Sequence, residues 1–159
     1  MVKVMFVCHG NICRSPMAEF IFKDMVAKQG LADKFYIASS ATSTEEIWRG
    51  VGNPVYPPAQ AELAKHSISC AGKRAVQVTL EDYDNYDFLL CMDSNNMRNI
   101  RRIIPQDKQN KISKLMDFAK GGDVADPWYT GDFATTYADV LAGCTAFLQY
   151  LKQNNLILH

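Results

Sequence analysis

The sequence lacks any apolar run approaching the ~18 residues that a membrane-spanning helix needs. It also lacks an excess of positive charge, since 17 Lys and Arg residues balance 17 Asp and Glu residues. A nucleic-acid surface would show such an excess, so we expect neither nucleic acid nor a membrane among the partners. The N-terminal residues do not resemble a signal peptide, which predicts a cytoplasmic protein.

Cysteine is present, but in a pattern that argues against two of its common structural uses. The cysteines are Cys8, Cys13, Cys70, Cys91 and Cys144. Their odd number and wide spacing argue against a disulfide framework. There is no C-x-x-C pair, and the three histidines do not cluster with the cysteines. We therefore expect no structural zinc and no other metal.

Alternation of strand-like and helix-like segments runs through all 159 residues, nearly half of which are hydrophobic. Apolar or β-branched runs predict four strands, at residues 2–8, 35–39, 88–92 and 112–116. Helical patterns cover residues 16–29, 59–66, 95–104 and 133–153, and Thr79 with the acidic residues after it predicts the start of a further helix. This order predicts an α/β fold with a four-stranded parallel sheet flanked by helices on both faces, in a single domain over residues 1–159.

The most informative motif follows the first predicted strand, where Cys8 and Arg14 frame a seven-residue turn containing Gly10 and Asn11. Ligands of parallel sheets bind at the carboxyl ends of strands, where Cys8 lies. Ser15 is predicted to cap the following helix, with Pro16 in its first turn. Converging backbone N–H groups, the helix dipole and the Arg14 guanidinium would hold a phosphate-like dianion and favour the Cys8 thiolate.

The chain resembles the low-molecular-weight protein-tyrosine phosphatases. Residues 8–16 (CHGNICRSP) match the family signature at its N-terminal position, and the resemblance continues through residues 41–43, 91–93 and 126–127. It implies a four-stranded parallel sheet and no cofactor. It also implies a phosphotyrosine-containing protein as substrate, with phosphate or a similar oxyanion held in the loop.

The resemblance assigns three catalytic residues. Cys8 would attack phosphorus and form a phosphocysteine, and Arg14 would stabilise the charge of the transition state. Asp126 would protonate the leaving phenolate and then activate water. On local sequence alone, Asp126 before Pro127 also suits a simple turn.

Further residues are expected to bind the substrate or to support the loop. The substrate-binding set is His9, Gly10, Asn11, Ile12, Cys13, Ser15, Trp48, Trp128 and Tyr129, of which the last three are candidate aromatic walls. The chain between residues 43 and 52 is longer than in common family members, so the pocket residue of the segment 44–58 is not fixed by alignment, and Trp48 is its candidate. Asn11 tolerates a left-handed backbone. Ser15, Ser39 and His66 match the family's network that holds Asn11, and Asp93 is grouped with this support.

Two readings of Cys13 stay open. It lies close to Cys8 in the sequence and could form a reversible disulfide that protects Cys8 from irreversible oxidation. It could equally be a small packing residue.

Three alternative functions were weighed on the sequence. An arsenate reductase on the same fold needs additional paired cysteines, which Cys70 and Cys91 do not obviously provide. A protein-arginine phosphatase carries a small Thr where this chain has Ile12. A silent phosphotyrosine-binding module would be expected to lack Cys8 or Asp126, and both are present.

Overall fold

The central strand of the computed structural model is β1 (Val2–Cys8), which is fully buried from Val4 onward. It pairs in parallel with β2 (Phe35–Ala41) on one side and with β5 (Phe88–Cys91) on the other. Strand β6 (Ile112–Lys114) completes the parallel sheet in the order β2-β1-β5-β6. The structure describes residues 1–157, so the last two residues of the predicted domain lie outside the described part.

The remaining elements surround this sheet. The helices are α1 (Arg14–Lys28), α2 (Pro57–Ala64), α3 (Leu80–Asn85), α4 (Ser94–Ile100), α5 (Pro127–Thr130) and α6 (Phe133–Gln153). Two short antiparallel strands, β3 (Ile47–Trp48) and β4 (Val51–Gly52), form a hairpin, and 3-10 turns lie at Ala32–Lys34 and Leu115–Phe118. Across residues 1–157 no helix is both long and apolar enough to span a membrane.

Alternate residues of β1 pack into two separate hydrophobic clusters, one on each face of the sheet. On one face Phe6 contacts Phe22 of α1, with ring centroids 5.9 Å apart, in a cluster that also includes residues of α6. On the other face Val7 shares a cluster with Ile100 of α4. The predicted α/β fold with helices on both faces of a four-stranded parallel sheet is therefore confirmed.

Several predicted boundaries are wrong by a few residues because local capping differs from the prediction. Helix α1 begins at Arg14 after Cys13, whose side chain makes no capping bond; Ser15 is therefore not the cap. Asp93, not Ser94, caps α4 by accepting a bond from the Asn96 N–H at 2.7 Å. The fourth strand ends at Lys114, where the chain turns into a 3-10 helix.

Part of the segment 44–58, in which the chain is longer than in common family members, forms the β3–β4 hairpin and the start of α2. Gly52 anchors the hairpin, because a Cβ at this position would lie 1.9 Å from the carbonyl oxygen of Ala75. Only glycine permits so close an approach of two backbones. The Gly52 carbonyl also accepts a bond from Arg74 Nη1 at 3.0 Å. This clamp fixes the hairpin beside the carboxyl edge of the sheet.

Candidate active site

The loop between β1 and α1 is held by backbone bonds to two other parts of the chain. The Thr42 N–H donates to the Cys8 carbonyl at 2.9 Å, and the Tyr56 N–H donates to the Ile12 carbonyl at 2.9 Å. Since the loop leaves a buried strand and enters a buried helix, both of its ends are fixed by the core. The loop is therefore pre-formed before any ligand binds.

The Cys8 sulfur lies inside this loop with hydrogen-bond partners on two sides. The Ser15 hydroxyl lies 3.0 Å from Sγ, and the Asn11 N–H donates to Sγ at 3.3 Å. Cys8 is only 3% exposed. Donors aimed at a sulfur favour its thiolate form, so the local geometry suits a nucleophile.

Arg14 is the cationic group of the site and is itself 4% exposed. Its Nη1 donates to Asp93 Oδ2 at 2.7 Å and to the Val124 carbonyl at 3.2 Å, which fixes the plane of the guanidinium. Burial would lower the pKa of Arg14, but Cys8, Asp93 and Asp126 outweigh that effect and raise it above its usual value. Arg14 therefore carries its positive charge at neutral pH.

Asp126 reaches the same site from the turn before α5. It caps the short helix α5, and its Oδ1 accepts a bond from the Trp128 N–H at 3.0 Å. Its Oδ2 lies 3.4 Å from Arg14 Nη2. The side chain is partly exposed, so the carboxyl group faces both the guanidinium and open solvent.

A cavity of about 450 Å³ joins these groups. Its lining consists of Cys8, His9, Gly10, Ile12, Cys13, Arg14, Glu45, Glu46, Asp93, Asn95, Asn96, Asn99, Asp126, Trp128 and Tyr129. The aromatic residues Trp128 and Tyr129 lie where a pocket wall was predicted. Trp48 does not line this cavity; it lies in the β3–β4 hairpin with 75% of its surface exposed.

Asn11 has the left-handed backbone that the sequence predicts, with φ of 60°. Its Nδ2 donates to Ser15 Oγ at 2.8 Å and to Ser39 Oγ at 2.9 Å, while its Oδ1 accepts from the Val76 N–H at 3.1 Å. These three bonds hold a backbone conformation that a non-glycine residue rarely adopts.

The placement of His66 in this network is wrong. Its Nε2 lies 3.2 Å from Glu62 Oε2, and its ring stacks on Tyr137 with centroids 3.7 Å apart. It therefore joins α2 to α6. Asn11 is bonded to Ser15 and Ser39, the other two residues predicted for this network, and Ser39 Oγ in turn donates to Glu19 Oε1 at 2.6 Å.

Sequence reasoning missed the acidic rim of the cavity, formed by Glu45 and Glu46. His9 Nε2 lies 2.9 Å from Glu45 Oε2. Both partners are exposed, so the pair contributes little to stability. The sequence signal for this acidic rim is the pair of adjacent carboxylates in the segment that follows β2. Glu19 could also have been predicted to face the site, because its i+4 spacing from Ser15 places both residues on one face of α1.

The second thiol of the loop, Cys13, has a different environment from Cys8. Burial raises the pKa of Cys13 to about 12, and the charges of Cys8 and Asp126 add to the effect. Its possible pairing with Cys8 stays a prediction. Within residues 1–157 no group of three or more His, Cys, Asp or Glu residues is arranged to hold a metal ion.

Comparison with known proteins places this geometry in a family. A family model described as low molecular weight phosphotyrosine protein phosphatase matches residues 3–156. The chain is 41% identical over 152 residues to a low molecular weight phosphotyrosine protein phosphatase of Gallus gallus, covering 92% of this chain and 93% of the relative. It is 36% identical over 156 residues to the low molecular weight protein-tyrosine-phosphatase YfkJ of Bacillus subtilis, covering 96% and 97%.

The structural comparison agrees with the sequence comparison. The crystal structure of YfkJ from Bacillus subtilis matches with a TM-score of 0.90 at 36% identity, covering 97% of this chain and 96% of that one. The chain therefore belongs to the low molecular weight phosphotyrosine protein phosphatase family.

Proposed function

We propose that the chain hydrolyses phosphotyrosine in proteins through a phosphocysteine intermediate. The observation that carries the proposal is the meeting of Cys8, Arg14 and Asp126 in one cavity, although they come from β1, α1 and the turn before α5. A nucleophile, a fixed cation and a carboxyl group on one cavity are the parts that phosphoryl transfer without a metal needs.

Substrate binding would place the phosphoryl group in the Cys8 loop. Its backbone N–H groups and the N-terminus of α1 favour a dianion. The Arg14 guanidinium presents a planar fork to two of the equatorial oxygens. Because Asp93 holds Arg14 from behind at 2.7 Å, the fork is oriented before the substrate arrives.

In the first step the Cys8 thiolate attacks phosphorus in line with the ester oxygen. The S–P bond forms as the P–O bond to the phenol breaks, and Asp126 in its protonated form gives its proton to the leaving oxygen. Asp126 lines the same cavity as Cys8, and its partly exposed carboxyl group is open to the leaving oxygen and to water. Arg14 and the loop N–H groups stabilise the charge on the equatorial oxygens.

In the second step water attacks the phosphocysteine. Asp126, now a carboxylate, takes a proton from this water, the P–O bond forms and the S–P bond breaks. The Ser15 hydroxyl, 3.0 Å from Sγ, donates to the departing sulfur and stabilises it as a thiolate. Inorganic phosphate then leaves and the starting state returns.

The cavity walls favour an aryl phosphate over the shorter phosphoserine. Trp128 and Tyr129 line the cavity and are largely exposed, and Ile12 of the Cys8 loop also lines it. Flat and apolar walls suit a phenyl ring. The same Ile12 favours an aromatic ester over phosphoarginine. Arsenate reduction is less well supported, because Cys70, Cys91 and Cys144 are absent from the lining.

A cytoplasmic location belongs to the same proposal. All five cysteines are free and buried, which suits a reducing compartment. The balance of 17 basic and 17 acidic residues gives no support to a nucleic-acid or anionic membrane surface as partner.

The proposal is tested by substrate comparison at mildly acidic pH, with a metal chelator present. We expect hydrolysis of p-nitrophenyl phosphate and of a phosphotyrosyl peptide, slow hydrolysis of the matched phosphoseryl peptide, and loss of all turnover in Cys8→Ser. Faster hydrolysis of phosphoarginine than of phosphotyrosine would favour the arginine alternative. Activity that survives Cys8→Ser would contradict the mechanism.

A further inference from the structure

Helix α1 carries a buried carboxylate, Glu19, that the reaction steps above do not use. Its side chain is only 6% exposed. It lies one turn after Ser15 on the face of α1 that packs toward β2, and its Oε1 accepts a hydrogen bond from Ser39 Oγ at 2.6 Å. Charged side chains are almost never buried without specific partners, so this position requires an explanation.

Two ammonium groups compensate the charge of Glu19. Lys23 Nζ, one turn further along α1, lies 2.6 Å from Oε2. Lys73 Nζ lies 3.8 Å from Oε1 and donates to the Ser39 carbonyl at 2.9 Å. Lys73 is itself 12% exposed. Its burial lowers its pKa and the charge of Glu19 opposes that shift. The carboxylate is thus held in one place from both sides.

An ionised carboxylate only accepts hydrogen bonds, so it determines the direction of the bonds connected to it. Ser39 must donate its single proton to Glu19, which leaves the Ser39 oxygen to accept from Asn11 Nδ2 at 2.9 Å. At the other end of the amide, the Val76 N–H donates to Asn11 Oδ1. Both ends require the same orientation of the Asn11 amide.

The direction of hydrogen-bond donation set by Glu19 also determines the hydrogen bond that the Cys8 sulfur receives. Asn11 Nδ2 also donates to Ser15 Oγ at 2.8 Å, so the Ser15 proton is free to point elsewhere. Its two available acceptors are Cys8 Sγ at 3.0 Å and the Ser40 carbonyl at 3.3 Å. With Cys8 as thiolate, the sulfur is the nearer and the charged acceptor, and charge-assisted bonds are the stronger ones.

We propose that Glu19 is a positioning residue, which acts through Ser39, Asn11 and Ser15 to direct a hydrogen bond onto the Cys8 sulfur. The role of Glu19 in hydrolysis rests on the proposed function. The hydrogen-bond relay itself does not, because the state of the Cys8 sulfur is measurable without any substrate.

The test measures the pH midpoint of Cys8 alkylation by iodoacetate, together with kcat and KM for p-nitrophenyl phosphate. In Glu19→Gln the amide oxygen is drawn to Lys23, which turns the amide NH₂ toward Ser39 and reverses the direction of that bond. We expect the midpoint to rise by about one pH unit, equivalent to about tenfold in thiolate population. We expect kcat to fall by about the same factor while KM changes less.

The path through Ser39 is tested by a double-mutant cycle. Ser39→Ala should raise the midpoint as Glu19→Gln does, and combining the two should raise it no further. Asp24→Asn is the matched control, since Asp24 forms the other i,i+4 acid–lysine pair of α1, with Lys28 at 2.8 Å, and lies more than one helical turn beyond Glu19 from the loop. Asp24→Asn should have the same Cys8 alkylation midpoint and the same kcat as the unsubstituted protein.

Two results would overturn the proposal. One is a Glu19→Gln protein that melts at a lower temperature but has the parent's alkylation midpoint, which would assign Glu19 to stability alone. The other is additive shifts in the double variant, which would remove Ser39 from the path. If Glu19→Gln does not fold, Glu19→Asp can replace it, because this variant keeps the charge but withdraws the acceptor from Ser39. A Cys8 alkylation midpoint in Glu19→Asp equal to that of the unsubstituted protein would also overturn the proposal. A parent that alkylates as described but hydrolyses no aryl phosphate would refute the proposed function and leave the relay standing.

Discussion

Single residues of the site differ in chemistry because their surroundings differ over a few ångströms. Cys8 and Cys13 belong to one loop, yet Cys8 receives hydrogen bonds at its sulfur whereas burial raises the pKa of Cys13 to about 12. The same effect raises the pKa of Cys91 to about 12, and burial raises that of Cys144 as well. A raised thiol pKa means that the group stays protonated, and therefore unreactive, at neutral pH.

This contrast predicts selective alkylation. Iodoacetate at about neutral pH should modify Cys8 and leave Cys13, Cys91 and Cys144 unmodified, as read by peptide mass mapping. Unfolding in denaturant should make all five cysteines reactive, which controls for reagent and digestion. Modification of Cys13 at the same rate as Cys8 in the folded protein would contradict the account.

Asp126 caps helix α5 and is proposed as the proton donor, and different substitutions separate these two roles. Asp126→Asn keeps an acceptor for the Trp128 N–H and hence the cap of α5, but it removes the proton that the leaving group needs. We expect both Asp126→Asn and Asp126→Ala to lower kcat by about 10² to 10⁴ for phenyl phosphate, and by much less for p-nitrophenyl phosphate. Equal losses on both esters, or near-normal activity of Asp126→Asn, would exclude Asp126 as the acid.

Sequence reasoning could place Cys8 and Arg14 together because both belong to one short motif, whereas Asp126, Trp128 and Tyr129 reach the same cavity from a distant segment. Cys8 and Arg14 lie at the two ends of one loop, so their meeting follows from chain geometry alone. Trp48 and His66 depend on how longer segments fold, and a one-residue change in a turn sends a side chain elsewhere. Glu19 was overlooked because a single acidic residue in a helix usually indicates a solvated face.

At the level of elements, β6 is the weakest part of the sheet, with three residues at its edge. Asp107 supports it: its carboxylate accepts bonds from the Tyr83 hydroxyl at 2.6 Å and from the Lys111 and Ile112 N–H groups at 2.8 and 3.0 Å. Partial burial would raise the pKa of Asp107, but these hydrogen bonds outweigh it and lower the pKa below its usual value.

A lowered carboxyl pKa contributes stability above the unfolded pKa, and that contribution is lost as the pH falls through the folded pKa. Asp107→Asn should therefore lower the free energy of unfolding by about 1–3 kcal/mol at pH 7, with a smaller difference from the parent below about pH 3. Urea unfolding at the two pH values measures this. Asp84→Asn, at an exposed position outside this network, should change little at either pH, whereas an unchanged Asp107→Asn difference at low pH would reject the role of the charge.

The β3–β4 hairpin shows what element-level patterns miss. Its strands are two residues each, too short for any alternation of apolar and polar positions to register. Its anchor, Gly52 against Ala75, joins segments more than twenty residues apart. The periodicity of apolar residues predicts the long strands and helices. This hairpin depends on a tertiary contact, which a local sequence pattern does not predict.

Over the whole molecule, the fold was predictable because four apolar strands alternate with amphipathic or buried helices. The two inner strands, β1 and β5, have apolar residues on both faces. The order β2-β1-β5-β6 then brings the carboxyl ends of β1 and β5 together. That edge carries both the Cys8 loop and Asp93. The site is thus a consequence of the topology as well as of the motif.

Because the loop is pre-formed and tied to the central strand, oxyanion binding should stabilise the entire fold. Inorganic phosphate should raise the melting temperature in a saturable manner. At a phosphate concentration 100 times its Kd, the free energy of unfolding should increase by about 2.7 kcal/mol. Sodium chloride at equal ionic strength should not reproduce the effect, and Arg14→Met should abolish it. Equal stabilisation of the parent and Arg14→Met would show that the anion binds elsewhere.

The central claim is that the Cys8 sulfur carries the phosphoryl group during turnover. Its most direct test is to quench a reaction with p-nitrophenyl phosphate in acid within the first turnovers and to map the phosphoryl group by peptide mass spectrometry. The account predicts a phosphoryl adduct on Cys8 in the parent and no adduct in Cys8→Ser. A phosphoryl group on any other residue, or steady turnover in Cys8→Ser, would contradict it.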